Sequence, residues 1–154
     1  MPLESDFYEV IERLKETLDF SPRPIERIIG IERLSRRKDQ DLEGVFIRYV
    51  SPQSINHPLF KFVDLFQAEW GAPWRGLVAL HVKEELNIDE RSAVLHLGRG
   101  SKRHDIGAPA PGYPKTRFEE FRHTNGCILR FCQRMPGYPI TLAVVENLTG
   151  NPKT

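Results

Sequence analysis

Cysteine is scarce in this chain. Its 154 residues contain two, Cys127 and Cys132, too few for a disulfide framework and without a paired metal-ligand spacing. Five positions apart on one strand, they would face opposite sides of a sheet, which excludes a local bridge. They read as free thiols in a reducing compartment. Long apolar runs are also missing. None approaches the ~18 residues of a membrane span, so no membrane partner is expected. The opening stretch, MPLESDFYEV, has neither the basic region nor the apolar core of a secretory signal, and a cytoplasmic location is the expectation. No segment completes a nucleotide, metal or nucleophile motif. No cofactor and no metal are expected.

What is present is ordinary for a folded domain: 40% hydrophobic and 28% charged residues. These fractions imply one domain, over residues 1–147, with a frayed tail over 148–154. The net charge of +1 hides an asymmetry. Residues 1–90 carry 12 Lys and Arg against 17 Asp and Glu, a net of −5; residues 91–154 carry 10 against 4, a net of +6. A basic half can attract nucleic acid, a phosphate-bearing ligand or an acidic protein surface. It can equally be neutralised by the acidic half within the fold.

The apolar pattern predicts the elements. Phe7, Val10, Ile11, Leu14 and Leu18 recur at helical steps behind Ser5, giving a helix over about 5–19. The prolines of SPRP (21–24) are expected to stop it. The isoleucine-rich 25–34 reads as a strand, as does 45–50. The run from Asn56 to Trp70, rich in Leu and Phe and closed by Gly71, reads as a core helix. Strands are expected at 76–84 and 91–98, a short helix at 115–123 with Phe118 and Phe121 inward, and strands at 127–134 and 140–146. The expected inward residues are Val78, Leu80 and Val82; Ala93, Leu95 and Leu97; Cys127, Leu129 and Phe131; and Ile140, Leu142 and Val144. The fold class that follows is α+β, an antiparallel sheet built from hairpins with helices packed on one face.

Three groupings could carry chemistry. The first is the segment from Gly98 to Gly107, where Arg99, Lys102 and Arg103 sit among Gly98, Gly100 and Ser101. Glycines let backbone amides approach an anion and basic side chains neutralise it. The second is histidine. Strand alternation places His81 and His96 on one sheet face, with His104 eight residues beyond. Such a pair with a nearby Lys102 could cleave RNA by general acid–base chemistry, or with Asp105 could hold a metal. The third is Cys132, flanked by Arg130 and Arg134, whose charge would favour a thiolate, with His123 as a candidate base. His57 reads as a capping residue.

The expected function is a small binding module contacting RNA, DNA or another polyanion. Its candidate contacts are Arg99, Lys102, Arg103, His81, His96, His104, Arg130 and Arg134, with Tyr113 and Tyr138 as stacking surfaces. One alternative is a protein–protein interaction or adaptor domain presenting Trp70, Trp74, Tyr113 or Tyr138. The other is a metal-independent nuclease using His81, His96 and His104. Oligomeric state is not legible in the sequence.

Overall fold

Pro22 begins a helix rather than ending one. In the computed structural model the described residues are 2–53, 55–69, 74–98, 102–106, 116–123, 125–133 and 139–149, with the backbone alone described at Pro2, 102–106 and 116–119. Helix α1 spans Pro2–Glu16. It buries Phe7, Tyr8, Val10, Ile11 and Leu14 along one stripe. Ser5 lies inside this helix instead of capping it, and Leu18 lies beyond its end, half exposed. Helix α2 spans Pro22–Ile29 and replaces the strand expected over 25–34. Pro22 takes the first helical position, where its missing N–H has no intrahelical partner to lose. Ile25 and Ile29 then turn inward one helical turn apart. Gly30 ends the helix in the left-handed region (φ 84°), its N–H donating to the Glu26 carbonyl at 2.8 Å.

The strands are β1 (Ser35–Arg36), β2 (Phe46–Val50), β3 (Phe60–Ala68), β4 (Gly76–Val82), β5 (Lys102–Ile106), β6 (Thr116–Arg122), β7 (Cys127–Gln133) and β8 (Ile140–Asn147). Helix α3 (Glu90–Leu97) separates β4 from β5. All strands join one antiparallel sheet of order β1-β2-β3-β4-β8-β7-β6-β5. The α+β class with an antiparallel sheet is therefore correct. The sheet consists of two four-strand meanders that meet where β4 pairs with β8. Among the described residues no helix is long and apolar enough to cross a membrane.

Four further element assignments change. The run expected as a core helix is strand β3. Both of its faces are apolar, with Phe62 and Phe66 on one and Val63 and Leu65 on the other, so its alternation is hidden and its aromatic, β-branched content decides. The segment expected as a strand at 91–98 is α3. Asp89 caps it by accepting the Ser92 N–H at 3.0 Å, and Gly98 ends it. Strand β6 replaces the short helix at 115–123. Within the expected loop after Gly98, residues 102–106 form β5.

The core gathers Phe7, Ile11 and Leu14 of α1, Ile25 and Ile29 of α2 and Ala93 of α3. Against them lie alternate residues of the sheet: Val63 and Leu65, Val78 and Leu80, Leu129 and Phe131, Ala143 and Val145. Val78, Leu80 and Val82 and the trio Cys127, Leu129 and Phe131 are inward as expected. On β8 the expected parity fails after Ile140. Ala143 and Val145 are fully buried, whereas Leu142 and Val144 are partly exposed. The register explains it: Gln133 pairs with Ile140 but Cys132 with Leu142, so Thr141 is the extra residue of a bulge and inverts everything after it. Leu148 and Thr149, expected in a frayed tail, are still bonded. The Leu148 N–H donates to the Gly126 carbonyl and the Thr149 N–H to Asn147 Oδ1, each at 2.9 Å.

Candidate functional site

The sheet residues of opposite parity to the core carry most of the charge pairing. One row of register partners runs Asp64, Ala79, Val144, Arg130, Glu120 across β3, β4, β8, β7 and β6. The next row runs Arg48, Phe66, Leu77, Glu146, Ile128, Arg122. Two polar clusters thus flank an apolar middle of Leu77, Ala79, Leu142 and Val144. At about 4.8 Å per strand, Asp64 and Arg130 stand roughly 14 Å apart.

The first cluster centres on Asp64, which is 8% exposed. Its Oδ1 accepts from Arg48 Nε at 3.1 Å and from a terminal Arg48 nitrogen at 2.7 Å. Its Oδ2 lies 3.6 Å from His81 Nε2, an ion pair when the imidazole is protonated. Burial pushes the Asp64 pKa up, but the contacts with His81 and Arg48 outweigh it and leave the carboxyl below its ordinary value. Arg48 also bonds Gln40 and lies over the Phe66 ring, 5.3 Å from its centroid. His81 meets Phe62 edge-on at 5.4 Å. The described donors of Arg48 are thus taken by internal acceptors.

In the second cluster, Arg130 donates to Glu146 at 2.8 Å and lies 3.6 Å from Glu120, which also pairs with Arg122 at 3.1 Å. Arg130 therefore faces outward as expected, with its charge balanced by two carboxylates. Sequence reasoning missed Arg48, Asp64, Glu120 and Glu146. The available signal was their shared parity across four strands, which becomes visible only once β3 is recognised as a strand.

His81 and His96 do not share a sheet face. The reading that joined them made 91–98 a strand, and α3 removes that premise. His96 stacks on Tyr8 of α1, centroids 3.9 Å apart and planes at 6°, and its Nδ1 lies 3.0 Å from the Ser92 carbonyl oxygen. Ser92 Oγ bonds the Tyr8 hydroxyl at 2.8 Å and also Glu4. Burial pushes the Tyr8 phenol up to about 12. Glu4 and Tyr8 on α1 meet Ser92 and His96 on α3, each pair four residues apart, and together they lock the two helices. The helix that His57 was expected to cap is strand β3, and His57 instead ties the turn before β3 to the end of α2. Its Nδ1 accepts the Leu59 N–H at 3.0 Å, so the Nε2–H donates to the Ile29 carbonyl at 2.9 Å.

Cys132 is not an activated thiol. Burial pushes its pKa up to about 11 against the opposing pull of Arg130. His123 lies beside Cys127, its N–H donating to that residue's carbonyl, five residues or about 17 Å along β7 from Cys132. Among the described residues no three His, Cys, Asp or Glu side chains gather to hold a metal.

Arg99 and Arg134, with Trp70, Tyr113 and Tyr138, lie outside the described residues. Lys102, Arg103 and His104 fall on β5, which pairs only with β6 among the described strands. The register sets Lys102 opposite Glu120, Arg103 opposite Glu119, His104 opposite Phe118 and Asp105 opposite Arg117. No protein-family model matches the chain, and neither curated proteins nor solved structures give a match.

Proposed function

We propose that this chain is a binding module for a polyanion, with Arg99, Lys115 and Arg134 as its main contacts. The observation that supports this reading is the distribution of acidic partners. Each of the four carboxylates after residue 90 holds a register position opposite a basic residue or bonds one: Asp105 is opposite Arg117, Glu119 opposite Arg103, Glu120 opposite Lys102, and Glu146 bonds Arg130. The excess of +6 leaves Arg91, Arg99, Lys115, Arg134 and Lys153 outside these pairings, with Arg122 a further cation on Glu120. Lys115 and Arg134 adjoin the Thr116 and Gln133 ends of β6 and β7, and Arg99 precedes β5 at the other end of that hairpin, so an anionic chain that met all three would run the length of β5 and β6. Lys102, Arg103 and Arg130 are secondary contacts in this reading, because Lys102 and Arg103 hold register positions opposite Glu120 and Glu119 and Arg130 bonds Glu146. Fluorescence anisotropy with labelled single-stranded RNA, single-stranded DNA and heparin, at low and moderate salt, tests it. Binding is expected to weaken steeply with salt; absence of salt-sensitive binding to all three probes rejects the proposal.

A second reading, a protein-interaction domain, draws support from the partly exposed strip of Leu77, Leu142 and Val144 between two ion-paired arginines. An apolar centre with a polar, arginine-bearing rim is the usual anatomy of a protein contact. That reading expects binding with little salt dependence and sensitivity to Val144→Lys.

A further inference from the structure

We infer that the groove between the end of α2 and the β2–β3 connection binds a small zwitterion with an apolar side chain, the simplest being a free aliphatic amino acid. The groove encloses about 290 Å³, the volume of about ten waters at roughly 30 Å³ each. A leucine, with about nine non-hydrogen atoms, suits such a space. Its apolar lining is Ile31, Ile55 and Pro52, and the two isoleucines also pack against the core. Its polar lining is Glu32, Arg33 and Asn56, all exposed.

These three side chains differ from Arg36 and Arg48 nearby, which already have carboxylate partners. Arg36 pairs with Asp41 and Arg48 with Asp64. Glu32, Arg33 and Asn56 have no hydrogen-bond or ion-pair partner among the described residues. Arg33 offers a planar fork for a carboxylate, Glu32 an acceptor for an ammonium group, and Asn56 a donor and an acceptor.

The turn that presents Glu32 and Arg33 is held at both ends. The Glu26 carbonyl accepts the N–H groups of Gly30 and Ile31, at 2.8 and 3.1 Å, while the Glu26 carboxylate accepts the Leu34 N–H at 2.8 Å. The buried His57 fixes the Ile29 carbonyl from behind and sits 3.8 Å from where a Cβ on Gly30 would be. A ligand therefore meets one wall already in position, which limits the ordering that offsets the contacts it makes there.

Methyl NMR of the full chain, observing Ile31 and Ile55, tests this with four probes: leucine, leucine amide, N-acetyl-leucine and N-acetyl-leucine amide. Leucine is expected to shift both isoleucine signals saturably, with a Kd on the order of 1 mM for so small a ligand. Removing either charge is expected to weaken binding about tenfold, and Arg33→Ala to weaken leucine binding by a similar factor. A lack of saturable shifts at on the order of 10 mM leucine overturns the inference. So does equal binding of leucine and its doubly blocked form. The probe series on the unaltered chain decides the matter even if Arg33→Ala does not fold.

Discussion

Gly76 is a position where the side chain must be absent. Its φ is +151°, and a Cβ there would lie 2.6 Å from the Phe66 carbonyl oxygen and 2.7 Å from Phe20 Cβ. Both obstacles are fixed, one in β3 and one in the core. Gly76→Ala is expected to cost about 3 kcal/mol, combining overpacking with backbone strain, and a denaturant melt measures it. His57 makes a second prediction at this scale. Burial, against the bond to the Ile29 carbonyl, holds its pKa below the ordinary 6.5; burial also lowers His123. The unfolded chain therefore takes up protons more readily than the folded one. Stability from these groups is full above about pH 6.5 and is lost as pH falls through the folded pKa values. A denaturant midpoint that is flat from about pH 8 to 7 and declines below 6.5 is expected, with the His57 ring titrating below 6.5 by NMR. A His57 midpoint at or above 6.5 contradicts this. Cys127 and Cys132, both raised to about 11 by burial, should alkylate with iodoacetamide at about pH 8 at least about tenfold more slowly than after unfolding.

Among the elements, β2 and β3 depend on one polar contact for their alignment on the outer face. Arg48 binds Asp64 through two nitrogens and reaches Gln40 in the preceding turn. Arg48→Ala leaves a mostly buried carboxylate with only His81, and is expected to cost about 2 kcal/mol. That corresponds to a fall of about 4–8 °C in Tm, whereas Arg13→Ala, at an exposed pair, should change Tm by less than about 2 °C. How far the elements were legible follows from the same physics. α1, β4 and β7 could be read from the sequence because each buries one face more deeply than the other, and β2 because of its β-branched and aromatic content. β3 could not, because both its faces are apolar and periodicity then fails to separate strand from helix. α2 and α3 carried local signals that were misread: Pro22 at a helix start, and Asp89 as a cap before Ser92. The parity of β8 was illegible because a bulge depends on the partner strand. The candidate site suffered accordingly. Arg130 was found because β7 was read correctly. Asp64 was hidden in a supposed helix, and His96 was paired with His81 across a strand that does not exist.

For the whole molecule, the −5 and +6 halves are reconciled only in part. In the basic half Glu120 and Glu146 pair with Arg122 and Arg130, and Asp105 and Glu119 hold register positions opposite Arg117 and Arg103; the proposed reading places the binding surplus in residues outside those pairs. If that surplus is what binds, basic residues of equal charge should contribute unequally according to whether a carboxylate faces them. The most direct measurement is the slope of log K against log salt for single-stranded RNA. It should be taken for the unaltered chain, for the Arg99/Lys115/Arg134→Ala variant and for the Lys102/Arg103→Ala variant. Each phosphate contact contributes about 0.7 to the slope on a single strand. The triple variant is therefore expected to lose about 2 from the slope and most of its affinity, and the double variant to lose less than about 0.7. Equal losses per charge in the two variants, or an unchanged slope in the triple variant, would contradict the account.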